Sequence, residues 1–290
     1  MSRKQAAITL ALILVIFMVG FVLRLESTTI PGIPADEKAY YEDQSGNPYM
    51  YELDSYYNYR LTRNYLDHGY MGDTIINGRE WDMHSYAPSG VPMDYPPLIT
   101  YLTALIYKFV NFFVNVPLLT LCFWLPAFIG PLAGIVAYFF VGRFTNKYGA
   151  FAAGILTVTA PFYFTRSVPG WFDTDIFNIF FPLLVTWIFV EAVQAKKIKN
   201  QMILSVLAAF SMFLFVLAWN GWQYQFCLLV GFMAFYILWR KLGGHEVKNL
   251  TCVLALFSLF TLLLIGIFTG FLNVLKLFNS LLELFSLTNP

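Results

Sequence analysis

Long apolar stretches are the feature that most constrains what this chain can fold into. A helix that crosses a membrane needs about 20 mainly apolar residues, and runs of that kind recur along the 290-residue chain. Apolar residue types make up 58% of the sequence and charged types only 12%, against roughly 25% charged residues in soluble domains. The net charge of +1 excludes a basic nucleic-acid-binding protein, so no nucleic-acid partner is predicted. We therefore predict an all-α, multi-pass membrane protein.

Loop charges predict how the chain crosses the membrane. Cytoplasmic loops carry an excess of Lys and Arg. If the apolar stretch 98–114 does not cross, the basic loops all fall on the same side as Arg3 and Lys4. We therefore predict that 98–114 is an external helix lying in the membrane interface. The seven predicted spans are 6–23, 118–141, 149–165, 176–193, 201–219, 221–239 and 249–271.

This topology leaves a large first outer loop at 26–117 and a short second outer segment at 167–175. The part of the first loop from 26 to 96 holds 12 of the 17 acidic residues and only four basic ones. Ordered loops of this length are usually functional. Any chemistry is therefore expected in the outer loops and not within the spans.

Two carboxylates stand close together in the second outer segment, in the sequence Asp173-Thr174-Asp175. Pro169 and Gly170 are expected to break the preceding helix. In an extended turn, side chains at positions i and i+2 point the same way, so both carboxylates can approach one cation. Carboxylate ligands without Cys or His favour hard ions such as Mg²⁺ or Mn²⁺. The alternative is a solvated helix N-terminus, where Asp interacts favourably with the helix dipole.

Other charged residues in the outer segments are weaker candidates on their own. Asp54, in the segment ELDSYYNYR, is a possible third carboxylate for a divalent ion, and the alternative is an ordinary surface acid. Arg166 is a candidate partner for a carboxylate or a phosphate, and the alternative is an interfacial anchor. His68, His84 and His245 are scattered and lack the spacing of metal ligands.

Three segments carry a resemblance to a known family. ELDSYYNYR in the first outer loop, RSVPGWFDTD at the second outer segment and WNGWQY near the end of the fifth span resemble the catalytic subunit of oligosaccharyltransferase. The likeness is strongest to the archaeal single-subunit form and covers nearly the whole chain. It implies a GT-C-type transmembrane helical domain with a large first extracytoplasmic loop.

The resemblance also implies an activity. The family transfers an oligosaccharide from a lipid-linked donor, a dolichyl phosphate or pyrophosphate, to the Asn of Asn-X-Ser/Thr in an acceptor protein. This N-glycosylation takes place on the extracytoplasmic face of the cell membrane and needs Mn²⁺ or Mg²⁺. An enzyme of the glycosyltransferase class is therefore expected.

By motif position, the resemblance implies four catalytic residues. Asp54 and Asp173 correspond to metal ligands, and Asp175 corresponds to their partner at the metal or just behind it. Arg166 matches the arginine that precedes the second motif. The chain lacks the family's later TIxE-like and WWDYG motifs and its soluble C-terminal domain. Residues 1–290 are therefore expected to be the N-terminal part of a multi-span GT-C domain, inactive alone.

Other functions stay open at this point. Another GT-C transferase that uses a polyprenyl-phosphate sugar, such as a protein O-mannosyltransferase, would share an acidic first outer loop but not RSVPGWFDTD. A membrane transporter would need polar residues near the bilayer midplane, whereas these acids cluster at the predicted outer surface. A non-catalytic binding subunit would fit the missing motifs.

Overall fold

The computed structural model describes residues 2–29, 32–34, 36–272, 274, 275 and 277, which are mainly helical. The described part contains six helical segments that are long and apolar enough to cross a membrane. The prediction of a helical multi-pass membrane protein is therefore confirmed. Those six segments are Arg3–Thr28, Leu118–Val141, Thr174–Gln194, Ile198–Ala218, Trp222–Leu242 and Lys248–Thr269.

Helices follow one another along almost the whole chain, and a small sheet interrupts them in the first outer loop. The strands are β1 (Thr74–Ile76), β2 (Arg79–Asp82) and β3 (Val91–Pro92). The helices are α1 (Arg3–Leu25), α2 (Leu53–His68), α3 (Leu98–Asn111), α4 (Leu118–Ile129), α5 (Leu132–Val141), α6 (Lys147–Thr159), α7 (Pro161–Thr165), α8 (Phe180–Gln194), α9 (Ile198–Ala218), α10 (Trp222–Leu242) and α11 (Lys248–Thr269).

The predicted third span, 149–165, differs from the expectation of one continuous helix. Helix α6 ends at Thr159, and Pro161 begins the short helix α7. A proline has no backbone N–H and its ring clashes with the preceding turn, so the helix is interrupted at Pro161, before Pro169. The crossing of 149–165 stays a prediction.

The predicted interfacial helix is present as α3, which has 14 residues. At 1.5 Å per residue it is about 21 Å long, which is shorter than the roughly 30 Å hydrocarbon core. Ile99 and Ala104 are buried on one face, whereas Leu105, Phe109 and Phe112 are exposed on the other. An exposed apolar face on a helix too short to span suits an interfacial location, which stays a prediction.

The chain divides into two compact units, Met1–Phe180 and Phe181–Pro290. In the first unit, glycines let α1, α5 and α6 pack closely. A Cβ placed on Gly154 would come within 2.5 Å of Ile16 Cδ1, and a Cβ on Gly134 would collide with Val158. Ile16 and Val158 are fully buried. Small residues at such contacts are typical of helices that pack inside membranes.

In the second unit, aromatic side chains fill the space between the helices. The Phe257 ring of α11 lies 4.8 Å from the Phe189 ring of α8 and 5.8 Å from the Phe226 ring of α10, measured between centroids. Gln225 Nε2 of α10 also donates a hydrogen bond to Thr186 Oγ1 of α8 at 2.8 Å. These contacts connect α8, α10 and α11 within the unit.

Arg24, at the end of α1, is a buried cation that anchors the start of the second outer segment. Its side chain is fully buried. It donates to the carbonyls of Gly20 at 2.8 Å and Val158 at 3.1 Å. It also donates to Ser167, with the carbonyl oxygen at 3.0 Å and Oγ at 2.6 Å. One guanidinium therefore ties α1 to the chain at Val158 and at Ser167, which lie more than 130 residues later in the sequence.

Replacing Arg24 by Met should destabilise the first unit. The change removes the donors of several buried hydrogen bonds and leaves their acceptors without partners, so we expect a loss of about 2–3 kcal/mol. Thermal or denaturant unfolding in detergent measures it. Arg3→Met is the matched control, because Arg3 is exposed on the same helix. Equal effects of the two substitutions would contradict the anchoring role.

Candidate active site

The first outer loop is an ordered structure built around helix α2. The helix ends at Gly69, whose φ of 85° is left-handed, a common glycine termination. The chain then forms an antiparallel sheet in the order β1-β2-β3. The turn between β1 and β2 is Asn77-Gly78, with φ values of 51° and 76°. This pair is the typical turn of a two-residue β-hairpin.

Helix α2 is docked on the second outer segment by buried polar side chains. Ser55 Oγ accepts from Phe172 N at 2.9 Å and donates to the Gly170 carbonyl at 3.4 Å. Asn58 Nδ2 lies 3.2 Å from both the Phe172 carbonyl and Asp173 Oδ1. Ser55 and Asn58 are fully buried. Segments 115 residues apart in sequence are thereby held together.

The turn at Gly170 makes this docking possible. Its φ of 84° lies in the left-handed region, and a Cβ there would come within 2.9 Å of Phe123 Cε2. Its carbonyl accepts from Tyr51 N at 3.2 Å, and its own N–H donates to the Phe123 carbonyl at 2.8 Å. The predicted turn at Pro169-Gly170 is therefore present and positions the acids that follow it. The helix itself, however, already ends at Thr159.

Two pairs of acids with the same spacing have the same local geometry. Glu52 and Asp173 each precede a helical turn in extended conformation, with φ/ψ of −143°/162° and −136°/168°. Asp54 lies in the first turn of α2, and Asp175 lies in the first turn of the short 3-10 helix Thr174–Phe177. The expected extended turn through both acids is therefore not present: Asp173 is extended, whereas Asp175 lies in a 3-10 turn, as in the alternative of a helix N-terminus.

The charges of these acids act on one another. Burial raises the pKa of Glu52 to about 7, and the charges of Asp173, Asp54 and Asp175 add to the shift. Burial also raises the pKa of Asp173, and the charges of Asp175 and Asp54 contribute. Asp54 and Asp173 therefore lie close enough to interact electrostatically, as neighbouring like charges do.

Asp173 is hydrogen-bonded on a single carboxylate oxygen by two side chains. Asn58 Nδ2 lies 3.2 Å from Asp173 Oδ1, and Tyr95 OH donates to the same oxygen at 3.4 Å. Tyr95 belongs to the segment between β3 and α3. Three separate parts of the chain thus meet at this carboxylate.

Asp175 is held on both of its oxygens. Arg166 Nη1 donates to Oδ2 at 2.6 Å, and Asn178 Nδ2 donates to Oδ1 at 2.9 Å. The predicted pairing of Arg166 with a carboxylate is therefore present. Asp54, in contrast, is exposed, and its carboxylate has no hydrogen-bond partner within the described ranges. The four predicted site residues thus share one region but differ in their surroundings.

Several buried polar atoms around these acids have no partner in the described part of the chain. They include three oxygens, Glu52 Oε1, Asn58 Oδ1 and Asn178 Oδ1, and the donor Trp171 Nε1. Native structures satisfy the large majority of buried polar groups, so a local concentration of unsatisfied ones calls for an explanation. Unsatisfied oxygens beside partly buried carboxylates favour a site that takes an external cation or donor.

A second acidic cluster lies in the sheet region of the same loop. Among the described residues, Asp73, Asp82 and His84 offer potential metal-ligand atoms within 4.8 Å of one another, whereas Asp54, Asp173 and Asp175 are not gathered this tightly. However, Arg60 already occupies the cluster, at 2.6 Å from Asp73 and 2.8 Å from Asp82. The guanidinium supplies the positive charge there.

The electrostatics of this second cluster are those of a satisfied ion-pair network. Burial by itself would raise the pKa of Asp73 and of Asp82. Hydrogen bonds from His84, Arg60 and Asn64 outweigh it for Asp73, and bonds led by Arg60 outweigh it for Asp82, so both pKa values are lowered. The network ties α2 to the sheet through Arg60.

Sequence reasoning missed three residues of the first site. Glu52 stands two residues before Asp54, the same spacing as in Asp173-Thr174-Asp175, and this repeat was a usable signal. Asn58 lies one helical turn after Asp54, but only the observed α2 shows that it faces the second outer segment. The contact between Tyr95 and Asp173 could not be predicted, because nothing in the sequence around Tyr95 indicates it.

The fold and the site together define a class of protein. A long series of membrane helices carries acids at two outer segments, and this architecture is that of the GT-C membrane enzymes. The family model described as "Oligosaccharyl transferase STT3, N-terminal" matches residues 12–289. The chain belongs to this family.

Two archaeal relatives share its sequence. The dolichyl-phosphooligosaccharide-protein glycotransferase of Methanococcus voltae is 28% identical over 260 residues, covering 86% of this chain and 28% of the relative. The protein of the same name from Methanocaldococcus jannaschii is 34% identical over 215 residues, covering 68% of this chain and 23% of the relative. The chain thus spans less than a third of the length of either relative.

Solved structures of the oligosaccharyltransferase AglB from Archaeoglobus fulgidus share the fold. The complex with an inhibitory peptide and a dolichol-phosphate has a TM-score of 0.66 and 18% identity, covering 91% of this chain and 29% of that one. The complex with Zn and sulfate has a TM-score of 0.68 and 19% identity, covering 88% and 31%. The form tethered to an acceptor peptide containing the NVT sequon has a TM-score of 0.62 and 17% identity, covering 87% and 29%.

Replacing Asp82 by Asn should destabilise the outer loop. The change leaves Arg60 with one carboxylate partner fewer, so we expect a loss of about 3 kcal/mol. Asp67→Asn is the control, because Asp67 forms an exposed pair with Arg63 at 3.6 Å, and its loss should be below about 1 kcal/mol. Comparable losses in the two variants would contradict a structural role for the cluster.

The same cluster predicts a pH dependence. The folded-state pKa values of Asp73 and Asp82 lie below the usual 3.8. Their stabilisation is therefore complete above about pH 4 and is lost as the pH falls through the folded-state values. Unfolding measured from pH 6 to pH 3 should show a steeper loss for the wild type than for Asp82→Asn.

Proposed function

We propose that this chain is the N-terminal catalytic part of an oligosaccharyltransferase. It would transfer an oligosaccharide from a dolichyl phosphate or pyrophosphate carrier to the Asn of an Asn-X-Ser/Thr sequence in an acceptor protein. Family membership supports this proposal, as do the names of the two archaeal relatives. Because the chain spans 28% of the Methanococcus voltae protein, we propose that residues 1–290 form part of a longer GT-C domain.

The observation that carries the proposal is the meeting of two acidic segments from different outer loops. Asp54 lies in the first turn of α2, Asp173 follows the Gly170 turn, and the buried side chains of Ser55 and Asn58 hold the two segments together. A transporter would place its polar groups near the membrane midplane. Here the acids gather at the ends of the long apolar helices and in the loop before them, where a lipid-anchored donor and a protein acceptor could both reach them.

The residues at this site fit a divalent metal ion. Their potential ligand atoms are all oxygens, which suits Mg²⁺ or Mn²⁺ better than a soft metal. Glu52 Oε1 and Asn58 Oδ1 are buried oxygens without partners. We propose that Asp54 and Asp173 hold the ion and that Asp175 supports it. When bound, a divalent ion offsets the repulsion among the carboxylates and stabilises negative charge that develops on a phosphate leaving group.

The residues of the chain contribute to the transfer in other ways. An amide nitrogen is a poor nucleophile because its lone pair is delocalised. Carboxylates beside it accept hydrogen bonds from its N–H groups and fix its orientation towards the sugar. Arg166 binds Asp175 through Nη1 while 40% of its side chain stays exposed. The exposed part of this guanidinium is suited to bind a phosphate.

The membrane orientation is part of the proposal. The distribution of Lys and Arg supports an outer location for the first loop and the second outer segment. The lipid-linked donor would approach from the bilayer, and the acceptor protein would approach from the extracytoplasmic space. The active site would thus work at the outer surface of the cell membrane.

Alanine substitutions should rank the acids by their roles. In the full-length protein, Asp54→Ala and Asp173→Ala should each lower transfer by at least about 100-fold, since each removes a proposed ligand that supports charge stabilisation. Asp175→Ala should lower transfer by about 10-fold to 100-fold, because Asp175 is proposed to orient the ligands without binding the ion itself. The measurement is Mn²⁺-dependent transfer of a lipid-linked oligosaccharide to an Asn-X-Thr peptide.

Asp67→Ala is the matched control for this series, since Asp67 is an exposed acid of the same helix α2. Its transfer rate should equal that of the wild type. Membrane insertion and melting temperature should be similar for all the variants. Near-normal rates for both Asp54→Ala and Asp173→Ala would exclude the proposed active site.

Cysteine labelling tests the orientation. In a background without native cysteines, Gln44→Cys should react with an impermeant maleimide added outside intact cells. Lys241→Cys, in the last turn of α10 at its predicted inner end, should react only after the membrane is opened. Both positions are exposed. Labelling of both positions from the same side would overturn the proposed topology.

A further inference from the structure

We propose that Tyr95 and Asn58 are positioning residues that fix the orientation of the Asp173 carboxylate for metal binding. This inference rests on the proposed function. Both side chains hydrogen-bond Asp173 Oδ1, at 3.4 Å from Tyr95 OH and 3.2 Å from Asn58 Nδ2. Because these two donors bond the same oxygen, they restrict the rotation of the carboxylate, which also accepts a hydrogen bond from the Thr174 backbone.

The two donors are themselves held from opposite sides. Asn58 is fully buried, and its amide also donates to the Phe172 carbonyl at 3.2 Å, which fixes it against the backbone that precedes Asp173. The Tyr95 ring packs edge-on against Tyr57, with centroids 5.1 Å apart and an interplanar angle of 66°. These contacts restrict the movement of both donors relative to Asp173.

Tyr57 connects this arrangement to the second acidic cluster. Its hydroxyl donates to Asp82 Oδ2 at 2.9 Å, and the guanidinium of Arg60 lies 5.1 Å from its ring centroid. The ion-pair network of the sheet region thus fixes Tyr57, and Tyr57 supports the ring of Tyr95. Through these contacts, the folded first outer loop restricts the position of the Asp173 carboxylate in the second outer segment.

Asp173 needs such support because of its neighbours. Carboxylates that repel one another tend to turn apart, and an unconstrained Asp side chain has rotational freedom that metal binding would have to remove. Donors that hydrogen-bond a metal-ligating carboxylate offset the repulsion and restrict the rotation of the side chain. Their loss typically weakens metal affinity by 10-fold to 100-fold. Asp175 differs, because Arg166 and Asn178 occupy both of its oxygens.

The test is Mn²⁺ binding to the full-length protein, followed by electron paramagnetic resonance of the free ion. Tyr95→Phe keeps the ring and removes only the hydroxyl, so we expect Mn²⁺ affinity to fall by about 10-fold. The melting temperature without metal should stay unchanged, and transfer should recover at high Mn²⁺. Unaltered Mn²⁺ affinity in Tyr95→Phe would overturn the proposal.

Tyr56→Phe is the matched control, since it removes the same group from another tyrosine of α2, whose hydroxyl accepts a hydrogen bond from Met50 N at 3.0 Å and, in the described part of the chain, does not bond Asp173. It should keep Mn²⁺ affinity within about 2-fold of the wild type, whereas Asn58→Leu should lose affinity as Tyr95→Phe does. An equal loss of affinity in both Tyr variants would show a general structural effect and refute the positioning role.

Asp173→Asn separates this inference from the proposed function. It should weaken Mn²⁺ binding strongly, and Tyr95→Phe should then have no further effect, because both act through one carboxylate. If Asp173→Asn binds Mn²⁺ like the wild type, the proposed metal site itself fails. If Asp173→Asn weakens binding and Tyr95→Phe does not, only the positioning role fails.

Discussion

The contact between α2 and the second outer segment is the constraint on which the candidate site depends. Burial raises the pKa of Asp173, and the charges of Asp175 and Asp54 add to the shift, so the charges of the two acids oppose their approach. Neutral groups bring them together instead. Ser55 and Asn58 are fully buried and bind the backbone at Gly170 and Phe172. Buried donors and acceptors that lose these partners would be costly to leave unpaired, which makes the docking specific.

The nature of this contact explains what could be predicted from the sequence. The long spans follow from uninterrupted apolar runs, and the pairing of Arg166 with an acid follows from proximity in sequence. Helix α2 gave no comparable signal, because Ser55, Asn58 and Thr62 on its buried face are polar. Apolar periodicity marks a helix only when the buried face is apolar. The break at Pro161 was missed because an apolar run conceals it, whereas a proline stops a helix regardless of hydropathy.

The spacing of Asp173 and Asp175 suggested that both carboxylates approach one cation, but the surroundings of the acids differ. Asp175 is hydrogen-bonded on both oxygens, Asp173 is hydrogen-bonded by side chains on one, and Asp54 is exposed. An ion competes least with existing partners at Asp54 and most at Asp175. This gradient supports a division in which Asp54 and Asp173 coordinate the ion while Asp175 holds Arg166 beside it. A local sequence motif cannot show this division, because the partners come from elsewhere in the chain.

The two acidic clusters of the first unit differ in whether the chain itself supplies a cation to the carboxylates. At Asp73 and Asp82, Arg60 lies within salt-bridge distance and both pKa values are lowered. At Glu52 and Asp173 the pKa values are raised, because burial and like charges are not offset by a comparable internal cation. Retaining such repulsion is unfavourable for stability alone. It becomes useful where an external positive charge is to bind, and perturbed groups of this kind concentrate at functional sites. The cluster that resembles a metal site by distance is therefore the structural one, and the looser cluster is the better candidate for catalysis.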